Sequence, residues 1–251
     1  MVLCEKDDRS ALWAYLGLKT RGLQPIELVS SDVLAYSRRW EHRLSGHSAS
    51  IEITLFDGRK IQSDRIWGVL NRLSEVKSDH LSRSSPADRE YAIQELGSFF
   101  LSWLNCLPQP ILNPATPLGL PGHFRHASEW AILASKAGLP TPPYLKTSNE
   151  PDNEFGDHQG RLVPTSEVST TVIVIGDQVA ASNNLIMAPS YLEAACIRLS
   201  KLANTPLLGI EFATDANGEW LFAGATPLPD LRLGGEDLLN KLAKIMRGGQ
   251  R

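Results

Sequence analysis

The chain has 251 residues, 42% of them hydrophobic, and a formal net charge of −3. That is enough apolar material for one large core or two small ones, and it lacks the basic excess that holds a phosphate backbone. Nucleic acid is therefore not an expected partner, although Arg38, Arg39 and Arg43 form a local basic cluster.

The three cysteines, Cys4, Cys106 and Cys196, are widely spaced and each sits in an apolar run. This favours buried reduced thiols over disulfides or a metal site. The opening MVLCEKDDRS has no apolar segment of the kind that marks export, and no stretch approaches a membrane span. The expected setting is the cytoplasm, with no membrane contact.

In chain order, Val2 to Glu5 reads as a short strand. Asp8 can cap a helix from Ala11 toward Arg21, which Gly22 stops. Ile26 to Val29 is a second strand, followed by a cap at Ser31 and Asp32. Ile51 to Phe56, the turn Asp57-Gly58 and Arg59 to Ile61 form a hairpin. Gly68 to Leu70 predicts a buried strand ending at Asn71 and Arg72. Ser85-Pro86-Ala87-Asp88 carries a capping serine, proline in the first turn and an acid, a strong helix start. Pro110 to Leu112 is a short strand, and Ser128 to Ala137 a helix closed by Gly138. Over the first 147 residues the alternation is that of an open α/β sheet.

From Ser148 to Glu167 the composition turns polar and loses apolar periodicity, which predicts a flexible connection. Beyond it lie a hairpin over Val172 to Ala181, a helix from Ser190 toward Leu202 with a capping pair at Ser190 and Glu193, and strands at Leu207 to Ala213 and Trp220 to Ala223. Glu236 to Met246 is a final amphipathic helix, acidic at its start and basic toward its end as the helix dipole prefers.

The chemistry-bearing residues are few. The first strand–helix connection, CEKDDRSA, has no glycine to let a pyrophosphate approach, and neither a P-loop nor a G-x-S-x-G elbow is present. Asn71 and Arg72 end an apolar strand, where open α/β sheets place ligand groups. Arg72 there either binds a carboxylate or makes a structural ion pair. Glu211 is a lone acid in the apolar strand LLGIEF, so it either takes a ligand role or faces solvent. His123, His126 and Glu129 are spaced for a metal, but Gly122 places His123 before the helix and favours polar capping.

The run LLGIEFATDANGEWLFAGATPLPDLRLGGEDLLNKLAKI resembles the closing segment of ATP-grasp ligases, in the branch of the ribosomal-protein glutamate ligase and the peptide-macrocyclising (graspetide) enzymes. There a G-[IV]-[DE] strand is followed by a turn, a strand ending in E-x-N, a proline loop and a last helix. ASEWAILASKAGLPTPPY resembles the opening of the family's ATP-grasp region, and GVLNRL and PILNP the strand ends of the smaller domain before it. The resemblance implies a pre-ATP-grasp-like open α/β sheet over residues 1–122. A truncated ATP-grasp-like domain, α+β with an antiparallel sheet, would follow over 123–251, with 148–167 flexible.

The sequence departs from the family at the metal motif. Glu211 matches the first acid, but Gly224 stands where the motif has Glu and Thr226 where it has Asn. His126 replaces an expected lysine, and the interval of the nucleotide-clamping lobe holds only the polar stretch. What the resemblance then implies is a non-catalytic binding or accessory subunit for a peptide or amino-acid ligand or a ligase partner, needing no cofactor. Ligand-binding candidates are Asn71, Arg72, Asn113, Asp230 and Arg232. The alternative is an active ATP-dependent carboxylate–amine ligase using ATP and Mg2+ at an altered metal site with Glu211 and Asp230. A protein partner or a homodimer fits either reading, and a third reading is a dimerisation scaffold without a ligand.

Overall fold

The computed structural model describes residues 1–82, 84–142, 162, 168–180, 190–214 and 218–248. The polar stretch 148–167 lies outside them except for Leu162, as does most of the turn Asp215 to Gly218. The chain forms two compact units, one of Met1–Pro121 with Leu242–Arg251 and one of Gly122–Lys241.

The first unit is built on a parallel sheet. β1 (Val2–Cys4), β2 (Leu28–Ser30), β6 (Val69–Asn71) and β7 (Ile111–Leu112) lie in the order β2-β1-β6-β7, every neighbouring pair parallel. α1 (Arg9–Thr20) starts where Asp8 accepts a bond from the Ala11 amide, as the sequence predicts. The short α2 (Ser31–Ala35) is capped by Ser30, one residue before the expected position. β1 is wholly buried, as a strand with parallel neighbours on both sides must be.

The same unit carries a second sheet, antiparallel in the order β3-β4-β5, made of β3 (Arg39–Leu44), β4 (Ala49–Thr54) and β5 (Lys60–Gln62). The Asp57-Gly58 turn joins β4 to β5, with Gly58 at a φ of 86° that its missing Cβ makes inexpensive. β3 is absent from the sequence expectation. Its alternation R-W-E-H-R-L has only one large apolar residue before Leu44, and the helix that gives Trp40 its partners lies far along the chain. That helix, α3 (Pro86–Asn105), sets Phe99, Phe100 and Trp103 around Trp40 with ring centroids 5.3, 5.3 and 5.1 Å away. Such edge-on and tilted ring pairs each add about 0.5–1.5 kcal/mol beyond burial.

The second unit holds an antiparallel sheet ordered β11-β10-β8-β9, from β8 (Val168–Ile175), β9 (Gln178–Ala180), β10 (Leu207–Thr214) and β11 (Trp220–Thr226). α4 (Ala127–Ala137) and α5 (Ser190–Ala203) supply Trp130, Ala134, Leu192, Cys196 and Leu199 to a core completed by Val172, Val174, Leu208, Ile210, Phe212 and Phe222. α6 (Gly235–Gly248) closes the described chain, and its part from Leu242 onward clusters with the first unit. The sequence boundary at 122/123 places those residues in the second.

Candidate functional site

Two places follow from the elements: the carboxyl ends of the parallel strands in the first unit, and the β10–β11 hairpin in the second. At the first, Asn71 is buried at the end of β6. Its amide nitrogen donates to the carbonyls of Asn113 (3.0 Å) and Leu120 (2.7 Å), and its side-chain oxygen accepts from the Leu73 amide (3.3 Å). The asparagines of GVLNRL and PILNP thus meet, Asn71 holding the buried Asn113 by its backbone.

Arg72 is 5% exposed and pairs with Asp8, its Nε 2.7 Å from Oδ2. The other oxygen of that carboxylate accepts the Ala11 amide at 2.8 Å, so one acid both caps α1 and neutralises the strand-end arginine. Of the two readings open in the sequence, the ion pair is the one seen. Asp8 as its partner was legible only as a cap.

Glu5 is the residue the sequence reading missed here. Its Oε2 accepts the Ser31 hydroxyl at 2.5 Å, and its Oε1 accepts the amide and hydroxyl of Ser74 at 2.9 and 3.0 Å. The signal was its place as the first polar residue after a buried strand. Burial, and then the charges of Asp8 and Glu5, push the neighbouring Cys4 thiol up to about 12 against the opposing pull of Arg72. This sheet end is a web of acids, amides and hydroxyls bonded to one another.

A partly open pocket of the same unit lies at the opposite end. Met1, Ile26, Glu27, Trp67 and Gly68, all just before or at the strand starts, line a volume of about 220 Å³. Open α/β sheets use the carboxyl end for ligands, so the cavity does not coincide with the expected site.

In the second unit, Glu211 is only 8% exposed, which removes its solvent-facing reading. Its neighbours Ile210 and Phe212 turn to the helix-covered core, so by strand alternation Glu211 occupies the other face of the sheet. The ladder pairs Glu211 with Gly224 and with Thr171, and Gly209 with Thr226, with a bulge after Glu211. The acid of the first strand therefore lies opposite the glycine that replaces the motif's glutamate.

β11 runs three residues further than expected, because the ladder carries it through Gly224 despite that residue's low strand preference. Beyond it, the Thr226 hydroxyl accepts the Leu228 amide at 3.1 Å and starts the proline loop. Pro229 then lies over Gly209 so closely that a Cβ there would sit 2.7 Å from its Cβ. Asp230 accepts the backbone amide of Arg232 at 3.1 Å and pairs with its guanidinium at 2.6 Å. These two sequence candidates are joined to each other.

His126 caps α4 in a reciprocal capping box, Glu129 accepting its amide at 3.0 Å. Magnesium requires several hard oxygen ligands beside a nucleotide's phosphates. Among the described residues no three His, Cys, Asp or Glu side chains are grouped to hold a metal, and Gly224 offers no side-chain oxygen to Glu211. Among the described residues the position opposite Glu211 therefore supplies no second carboxylate for magnesium.

A four-stranded parallel sheet followed by an antiparallel sheet with two helices on one face, closed by a strand, a proline loop and a last helix, is an ATP-grasp-like fold. Solved structures confirm the fold along the whole chain. The macrocyclase MdnC of Microcystis aeruginosa, bound with its precursor peptide MdnA, is similar with a TM-score of 0.72 and 14% identity, over 98% of this chain and 98% of that one. The ATP-grasp ligase PsnB, complexed with a precursor variant, Mg and ADP, gives 0.69 and 18% over 100% and 98%. A RiPP-associated ATP-grasp ligase of Chryseobacterium gregarium, in complex with ADP and a leader and core peptide, gives 0.70 and 10% over 98% and 96%. No family model matches the sequence, and no curated protein matches it.

Proposed function

We propose that this protein binds a peptide and serves its modification by ATP-dependent carboxylate–amine ligation. The observation that carries the proposal is the end-to-end structural agreement with a macrocyclase and two ATP-grasp ligases whose structures contain precursor or leader peptides. That agreement supports the chain as the ligase itself. Of the acids suggested for an altered metal site, Glu211 is buried on β10 and Asp230 is engaged by Arg232.

One observation favours a second reading, in which the chain is a peptide-binding accessory subunit of a separate ligase. Gly224 faces Glu211 and Thr226 is engaged in its own turn, so the two missing positions of the motif have no evident substitutes among the described residues. Both readings share the peptide ligand and a cytoplasmic setting.

The experiment combines purified protein, ATP, Mg2+ and a synthetic peptide library rich in Asp, Glu and Lys. Ligation appears as loss of one water from the peptide with matching ADP release, and binding by fluorescence anisotropy. Water loss with ADP supports the ligase; binding that is indifferent to ATP and yields neither product supports the accessory subunit. Absence of both binding and product overturns the proposal.

A further inference from the structure

The pocket at the strand starts of the first unit has no part in either place described above. Its walls come from four segments of that unit: the end of α1, the loop 23–27 that leads into β2, the run 60–68 from β5 to β6, and the end of α6. Leu18, Ile61, Ile66 and Met246 give it a buried apolar lining. Trp67, the largest side chain of the set, is nonetheless 44% exposed. A concave apolar lining with an aromatic ring left half open and a few polar groups beside it is the usual form of a small-molecule site.

The charges around it divide into answered and unanswered. Glu27 is held by Arg59 at 2.6 Å and Lys60 by Glu52 at 2.7 Å, so both are neutralised within the protein. Arg247 donates to the Arg21 carbonyl at 2.5 Å, a neutral acceptor that leaves its charge in place. Arg65 lines the pocket, is exposed, and takes part in no ion pair among the described residues. Ile66, between Arg65 and Trp67, is extended at φ −99° and ψ 121°, so alternation puts the guanidinium and the indole on the same side of the chain. The Met1 amine donates to the Gly68 carbonyl at 2.9 Å, and burial lowers it to about 6, so at pH 7.5 it carries little charge. The negative end of the α1 dipole lies at this end of the sheet, but the amides of Arg21, Gly22 and Leu23 meet its last carbonyls. The unanswered charge at the pocket is therefore positive.

We propose that this pocket binds a small aromatic carboxylate, its ring against Trp67 and the apolar lining and its carboxylate on Arg65, with Arg247 adding positive charge. The planar fork of a guanidinium matches both oxygens of a carboxylate. A volume of about 220 Å³ lies below the range of about 300–1,000 Å³ that suits drug-sized molecules, which limits the ligand to one or two rings. A phosphate ester fits less well, because its second charge would have to be buried against Leu18, Ile66 and Met246. The same chemistry is offered by a free arylacetic acid and by the C-terminal aromatic residue of a peptide. The pocket is at the opposite end of the sheet from Asn71 and Arg72, so the inference stands apart from the ligase and accessory readings.

Fluorine NMR of para-fluorophenylacetate with the full chain at pH 7.5 tests it. The acid is expected to bind with a Kd of about 1 mM or tighter, and the neutral para-fluorophenylacetamide, of the same shape, about tenfold more weakly. Arg65→Glu and Trp67→Ala alter exposed side chains, so urea unfolding should find both variants folded, and each is expected to weaken binding of the acid about tenfold or more. Competition distinguishes the two sources. Displacement of the probe by the peptide Ser-Gly-Gly-Phe, and not by its C-terminal amide, supports a peptide terminus as the ligand; displacement by phenylacetate alone supports a free acid. No binding at about 10 mM, equal binding of acid and amide, or binding unchanged in Arg65→Glu or Trp67→Ala each overturns the proposal.

Discussion

Replacing Arg72 with alanine separates a structural role from a ligand-binding one. The guanidinium is 5% exposed and its Asp8 partner 13%, with 2.7 Å between Nε and Oδ2. Removing one partner of a buried pair leaves the other charge uncompensated, a loss of about 3–5 kcal/mol. Asp8 keeps the Ala11 amide on its other oxygen and a little solvent, so the expected cost lies near the lower end, about 3 kcal/mol. Serine at position 8 retains the cap without the charge. The double variant Asp8→Ser/Arg72→Met is therefore expected within about 1–2 kcal/mol of the native protein, because exchanging a buried pair for neutral groups is often close to neutral. Urea unfolding followed by tryptophan fluorescence measures all three proteins, and peptide anisotropy runs in parallel. If Arg72→Ala costs less than about 1 kcal/mol and abolishes peptide binding, the ion-pair reasoning is refuted and Arg72 is a ligand group.

Three further outcomes follow from the same geometry. Gly209→Ala drives a Cβ into Pro229, which cannot swing aside, and is expected to cost about 1–3 kcal/mol; adding Pro229→Gly should recover most of it in the same urea assay. Arg232→Ala removes an exposed pair with Asp230 and should change stability by less than about 1 kcal/mol. Thiol reagents at pH 8 should label the half-buried Cys106 in the native protein, and Cys4 and Cys196 only on unfolding. Burial above all pushes the last two up to about 12 from an ordinary 9.0. The native state then holds protons that the unfolded chain releases, so stability is full below pH 9 and is lost as pH rises toward 12.

Much of the fold is written locally. Asp8 and Ser85 start their helices where side-chain caps predict, and Gly138, at a φ of 81°, stops α4. β3 escaped because its strand character comes from α3, whose aromatic residues lie some 60 positions later. The site was legible as a set of positions and not as a set of partners. Asn71, Arg72, Asp230 and Arg232 are where the sequence puts interesting chemistry, but Arg72 finds Asp8 only once β1 and β6 pair in parallel. Glu211 could face either way until the ladder set its burial. Glu5 drew no notice because its partners, Ser31 and Ser74, come from two other segments.

The division of the chain has a consequence for its birth on the ribosome. β1 is central in its sheet, between β2 and β6, and the first unit also includes Leu242–Arg251, with the Met246 sulfur where a Cβ on Gly68 would reach it at 2.8 Å. The second unit is thus an insertion, synthesised whole before the first unit's last segment. A chain ending before residue 242 would lack the part of α6 that packs at Gly68, so the first unit depends on residues made after all of the second.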